Sequence, residues 1–165
     1  MAPRSRRDGH TRLELCQLHV AAAVEWQVLD TAALLTWFVP LSLLAPAGET
    51  VARFAGIVLV LGGVLLVLGA VRLFRRAGTP VAPIEPTSAL VTDGIYRWTR
   101  NPMYLGLSLI LLGLSVATGS LWFLIGLVLA VYGVTKLAIE KEEVYLAGKF
   151  GAAYLDYKSR VRRWM

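Results

Sequence analysis

Apolar residues gather along the chain in blocks, and the blocks set the elements. The block at 31–45 is short and ends at Pro46-Ala47-Gly48. It needs Trp26 and its neighbours to reach the roughly 20 residues that cross the hydrocarbon of a bilayer. The block at 51–74, with VLVLGGVLLVLGAV at its centre, is long enough by itself. A polar stretch follows, marked by Pro80, Pro83, Pro86 and Pro102. The apolar region at 103–139 is too long for one span and suits two, with Thr118-Gly119-Ser120 as the turn between them. The pattern predicts an all-α integral membrane protein of about four transmembrane helices, the last two forming a hairpin.

Beyond the last block, Phe150, Tyr154, Tyr157, Val161 and Trp164 recur at helical spacing, with basic residues between them. This predicts an amphipathic C-terminal helix whose aromatic edge and cations grip anionic lipid headgroups. At the other end, Glu14, Glu25 and Asp30 interrupt the stretch after MAPRSRRDGH, so no cleavable signal is expected. Residues 11–27 suit either a surface helix or a tail. Gly56, Gly62, Gly63 and Gly69 in the second block allow close helix packing, or make room for a ligand. The chain divides into a basic N-terminal segment (1–30), two helices (31–75) and a larger C-terminal unit (76–165).

Composition agrees with a bilayer location. Of 165 residues, 56% are hydrophobic, and the mean hydropathy is +0.60. The net charge of +6 reads as topology rather than nucleic-acid binding. Of the 17 lysines and arginines, all but Arg53 fall in the N-terminal segment, the connection between helices two and three, or the C-terminal tail. Four spans put all of those on one side, which the positive-inside rule makes the cytoplasm. Both termini are then expected on the cytoplasmic side. One cysteine, Cys16, rules out an internal disulfide framework and a cysteine-based zinc cage. With only His10 and His19 besides, no metal site is expected.

Two clusters carry candidate chemistry. RNPMYLG, residues 100–106, sits where the third span begins, and EKEE, residues 140–143, where the fourth ends. A hairpin returns both to the same side of the membrane. A guanidinium, an amide, phenols and carboxylates then meet beside an apolar bundle. Such a site suits one ligand with a zwitterionic end and a partner with a lipid-like end. The plainer alternative for the glutamates is solvation, or pairing with Lys136 or Lys141 at helical spacing.

GIYRWTRNPMYLG followed by EEVYLAGKFGAAYLDYKSRVRRW resembles the isoprenylcysteine carboxyl methyltransferase family, within the wider phospholipid methyltransferase superfamily. The matching positions are Gly94, Tyr96, Arg97, Arg100, Pro102, Tyr104, Gly106, Glu142, Glu143, Leu146, Phe150, Gly151, Tyr154, Tyr157, Val161 and Arg163. They cover residues 90–164; the N-terminal half carries no such motif. Many members have His where this chain has Asn101, which hydrogen-bonds but does not titrate near neutrality.

The resemblance, to a bacterial-type member, implies an inner-membrane methyltransferase using S-adenosylmethionine, with residues 76–165 as its core. It implies a cofactor pocket facing the cytoplasm and a lipophilic or small methyl acceptor: a prenylcysteine-like carboxylate, a lipid amine or a thiol. Arg100 and Glu143 are the expected catalytic pair. Gly94, Tyr96, Asn101, Pro102, Tyr104, Glu140 and Glu142 are expected around the cofactor. Within that reading Arg100 forks onto a carboxylate, and Glu142 or Glu143 accepts from ribose hydroxyls or the ammonium. Tyr96 and Tyr104 meet the adenine or sulfonium, and Glu143 or Glu140 accepts a proton from an amine or thiol. Two alternatives stay open: an NADPH-dependent membrane reductase of the steroid-reductase type, and a non-enzymatic four-helix membrane protein. Oligomeric state is not legible in the sequence.

Overall fold

The computed structural model describes residues 27–39, 49–78 and 89–165. The N-terminal segment before residue 27, the end of the first apolar block and most of the proline-rich stretch lie outside the described residues. Those described form helices and no strand. Residues 27–38 form α1. Then come α2 (Glu49–Arg76), a short 3-10 helix (Gly94–Arg97), α3 (Pro102–Thr118), α4 (Leu121–Val134), a π-helical turn (Thr135–Ile139), α5 (Glu140–Phe150) and α6 (Ala152–Arg160).

The expected hairpin is present. Pro102 occupies the first turn of α3, where its missing N–H costs nothing. Gly119, in the left-handed region at φ 65°, closes α3, and α4 starts two residues later. Ser120 fastens the turn: its carbonyl accepts from Ser115 Oγ at 2.9 Å, and its hydroxyl lies 2.6 Å from that of Thr36 in α1.

Small residues decide the helix packing. Gly56 and Gly63 in α2 lie seven residues apart, as do Gly106 and Gly113 in α3. A Cβ built at Gly63 would lie 2.5 Å from the Gly106 carbonyl oxygen, and one at Gly113 would lie 2.7 Å from that of Gly56. The two helices therefore run antiparallel with backbone against backbone, a geometry that lipid-embedded helices favour. Packing accounts for Gly56 and Gly63 but not for Gly62, which faces open space. On the other side of the hairpin, Ala32 of α1 packs with Leu111, Phe123 and Ala130.

Two helices among the described residues are long and apolar enough to cross a membrane: α2, and the continuous helix Leu121–Phe150. Only 17% of the apolar window of α2 is buried. Val51, Phe54, Val58, Leu61 and Leu65 stand exposed along it. A contiguous apolar face of that kind is a liability in water and natural against lipid. The 17 residues of α3 fall at the short end of the spanning range.

The C-terminal region differs from the expected single amphipathic helix. The fourth helix does not end with its apolar residues at Ile139 but continues from the π-helical turn into the polar α5. Gly151, with φ 54°, then breaks the chain before α6. Tyr154 and Tyr157 are buried, whereas Phe150 sits on a different helix and Val161 and Trp164 lie beyond the end of α6. The spacing was helical but the helix is interrupted, so the aromatic set is not one lipid-facing edge.

The glycine contacts set a clear expectation. Gly106→Ala should destabilise the protein by about 1–3 kcal/mol through overpacking, whereas Gly62→Ala should leave the midpoint unchanged or raise it. Thermal unfolding in detergent distinguishes the two; equal midpoints for both variants would contradict the backbone contact.

Candidate functional site

The start of α3 and the start of α5 meet, as the hairpin requires. Arg100 Nη1 lies 3.0 Å from Glu143 Oε1 although the residues are 43 positions apart in the chain (143 minus 100). Both side chains are about nine-tenths buried, at 10% and 8% exposure. A cleft opens beside them, enclosing about 510 Å³ of empty space that includes open solvent. Arg100, Asn101, Tyr96, Glu142, Tyr154 and Tyr157 give its polar side, and Phe74, Leu90, Val91, Ile139 and Leu146 its apolar side.

Glu143 is held by three cations. Arg163 forks onto it, with Nε donating to Oε1 at 2.9 Å and Nη2 donating to Oε2 at 3.1 Å. Lys158 Nζ donates to Oε2 at 2.9 Å. Arg100 completes the set. A buried carboxylate needs such company, because desolvation without it is costly. Glu143 is thus a clamp joining α3, α5, α6 and the C-terminal residues.

Arg100 is only partly satisfied by this. Nη1 also donates to Tyr154 Oη at 3.3 Å, but Nε is buried without a partner. Tyr96 Oη is the other buried side-chain polar atom without a partner among the described residues. Both residues line the cleft. Native proteins pair nearly all buried polar atoms, so two orphans in residues that line one cleft make it the candidate site.

The three phenols of the cleft hold their protons. Burial raises the Tyr96 hydroxyl well above the usual range, and the charge of Glu142 adds to this. Burial also raises Tyr154, against the hydrogen bond from Arg100. Tyr157 is pushed up to about 12, mainly by burial; its hydroxyl donates to the Tyr96 carbonyl at 2.7 Å. Phe74 at the end of α2 stacks at a tilt on Tyr96, 5.5 Å between ring centres.

The remaining sequence candidates divide. Asn101 and Glu142 line the cleft, and Asn101 Nδ2 donates to the Arg163 carbonyl at 3.0 Å. Pro102 and Gly94 border the site without lining it; a Cβ at Gly94 would meet Leu73 Cδ1 at 2.9 Å. Tyr104 packs against Val134, Ala138 and Ile139 instead. Glu140 turns away, ion-paired with Lys136 at 2.7 Å on an exposed surface. Tyr154, Tyr157, Lys158 and Arg163 carry no site role in the sequence reading, yet they build the cleft and its clamp. Three of them occupy motif positions, which was the available signal; Lys158 had none.

The comparisons with known proteins converge on the same region. A family described as phospholipid methyltransferase matches residues 51–153. An uncharacterised protein of Haemophilus influenzae is 40% identical over 63 residues, which are 38% of this chain and 100% of that relative. The protein-S-isoprenylcysteine O-methyltransferase of Xenopus laevis is 39% identical over 72 residues, covering 44% of this chain and 25% of the relative. The human protein of the same name is 36% identical over 75 residues, 46% of this chain and 26% of the relative. The chain thus matches about a quarter of the length of these named relatives. No solved structure matches it. With a family match across well over half its length, from α2 to the start of α6, the chain belongs to the phospholipid methyltransferase family.

Proposed function

We propose that the protein is an integral-membrane methyltransferase that takes its methyl group from S-adenosylmethionine and passes it to a lipophilic or small acceptor. The observation that carries this reading is the pair of unpartnered buried atoms, Tyr96 Oη and Arg100 Nε, in one cleft of a methyltransferase-family chain. The proposed topology is four spans with both termini and the cleft on the cytoplasmic face of a bacterial inner membrane. Its support is the one-sided distribution of lysine and arginine. Helix length supports it too. From the uncharged turn at Ser120, about 20 residues of rise cover the hydrocarbon, so Glu142 and Glu143 emerge just beyond it.

The residues present fit the cofactor. Its carboxylate suits the free edge of Arg100. Its ammonium or ribose hydroxyls suit Glu142, and the Tyr96 hydroxyl supplies one more donor. When bound, S-adenosylmethionine supplies an electrophilic methyl group; the chain's part is to hold, orient and exclude water. Phe74, Leu90, Val91 and Leu146 dry the cleft and suit a greasy acceptor. A carboxylate acceptor needs no base. For an amine or thiol, Glu142 is the better proton acceptor, since Glu143 is committed to three cations and Glu140 faces away.

Calorimetry on the full chain in detergent should show saturable S-adenosylmethionine binding, weakened about tenfold or more in Arg100→Ala. A folded protein that binds none would sink the reading. Tyr96→Phe should behave in a two-sided way. It removes an unpaired buried hydroxyl, so the ligand-free protein should melt at the same temperature or higher, while ligand affinity falls. Lower stability with unchanged affinity would mean that the hydroxyl is structural.

The phenols give a pH test. Tyr157 keeps its proton in the fold to about 12, above the ordinary value near 10. Its contribution to stability is therefore intact below pH 10 and is lost as pH rises toward 12. In an absorbance titration, Tyr96, Tyr154 and Tyr157 should ionise late. Normal titration of all six tyrosines in folded protein would contradict their burial.

A further inference from the structure

We infer that residues 161–165 form a strap that sets the Arg100 guanidinium for its ligand, with Arg163 as the positioning residue. The inference rests on the cofactor reading for the identity of that ligand, and on geometry for the rest.

The strap crosses the start of α3. The Arg100 backbone N–H donates to the Arg162 carbonyl at 3.0 Å. Thr99 Oγ1 and Asn101 Nδ2 both donate to the Arg163 carbonyl, at 3.1 and 3.0 Å. Trp164 packs on the cluster of Val134, Ala138 and Ile139. Three consecutive residues, 99 to 101, therefore read the backbone of the strap. Asn101 performs this task with its amide, which explains why a side chain that cannot titrate suffices there.

The side chain of Arg163 acts at one remove. It does not line the cleft; it forks onto both oxygens of Glu143, which in turn holds Arg100 Nη1. A carboxylate shared between a fork from Arg163 and one nitrogen of Arg100 leaves the Nε edge of Arg100 free. Without Arg163, the buried carboxylate keeps Lys158 and Arg100 as its partners, and the natural replacement is a fork from Arg100 itself. That turns the free edge of Arg100 from the ligand to Glu143. The strap thereby keeps Arg100 from closing on its own counterion.

The test uses the full chain in detergent. Arg163→Ala should bind S-adenosylmethionine about tenfold more weakly than the unaltered protein. Arg163→Lys, which keeps the charge but not the fork, should recover part of that loss. Placed in a Glu143→Gln background, Arg163→Ala should cause no further loss, because its route is gone. Binding within about twofold of the unaltered protein, or the same loss in the Glu143→Gln background, overturns the inference. If the unaltered protein binds no S-adenosylmethionine, the cofactor reading fails separately, and trypsin decides the strap. Cleavage after Arg162 and Arg163 should be slow in the unaltered protein and fast in Glu143→Gln. Equal rates would show that the strap is not held through Glu143, and the inference would fall.

Discussion

One buried carboxylate organises the polar half of this molecule. Glu143 draws Arg100 from the start of α3, Lys158 from α6 and Arg163 from the C-terminal strap onto two oxygens. None of these groups is easily buried alone. Three cations without the anion would repel, and the anion without them would pay for desolvation with nothing in return. Together they convert loose ends of a helical bundle into walls of a cleft. The apolar half needs no such arrangement, because its helices meet through glycine and alanine surfaces against lipid.

Much of the fold was legible because the signals were long and local. The block at 51–74 became α2, and Thr118-Gly119-Ser120 became the hairpin turn. Four spans predicted that RNPMY and EKEE would be neighbours, and Arg100 does meet Glu143. The less legible part depended on phase. A π-helical turn inside a continuous helix leaves no obvious mark on apolar periodicity, yet it resets which face every later residue presents. Gly151 carries the same kind of information: a single residue broke an apparently regular aromatic face and sent Tyr154 and Tyr157 inward.

Charges were harder still. In the sequence, Lys136, Lys158 and Arg163 are three members of one basic tail. In the fold, Lys136 pairs with Glu140 at the surface, whereas Lys158 and Arg163 share a buried glutamate. The glutamates split likewise. Glu140 met the plain expectation of a helical i,i+4 pair, and Glu143 did not, because one position on a helix faces solvent and another faces the neighbouring helix. Long-range partners cannot be read from spacing.

The glycine seam between α2 and α3 has a mechanical consequence. Where backbones touch, there are no side chains between them that could repack, so the two helices resist sliding and move as one body. Phe74 rides at the end of one and Arg100 stands at the start of the other. The distance between an apolar wall and the principal cation is therefore fixed by the bundle. Room for a larger guest would therefore have to come from the walls outside the seam, residues 89–91 and the helices α5 and α6.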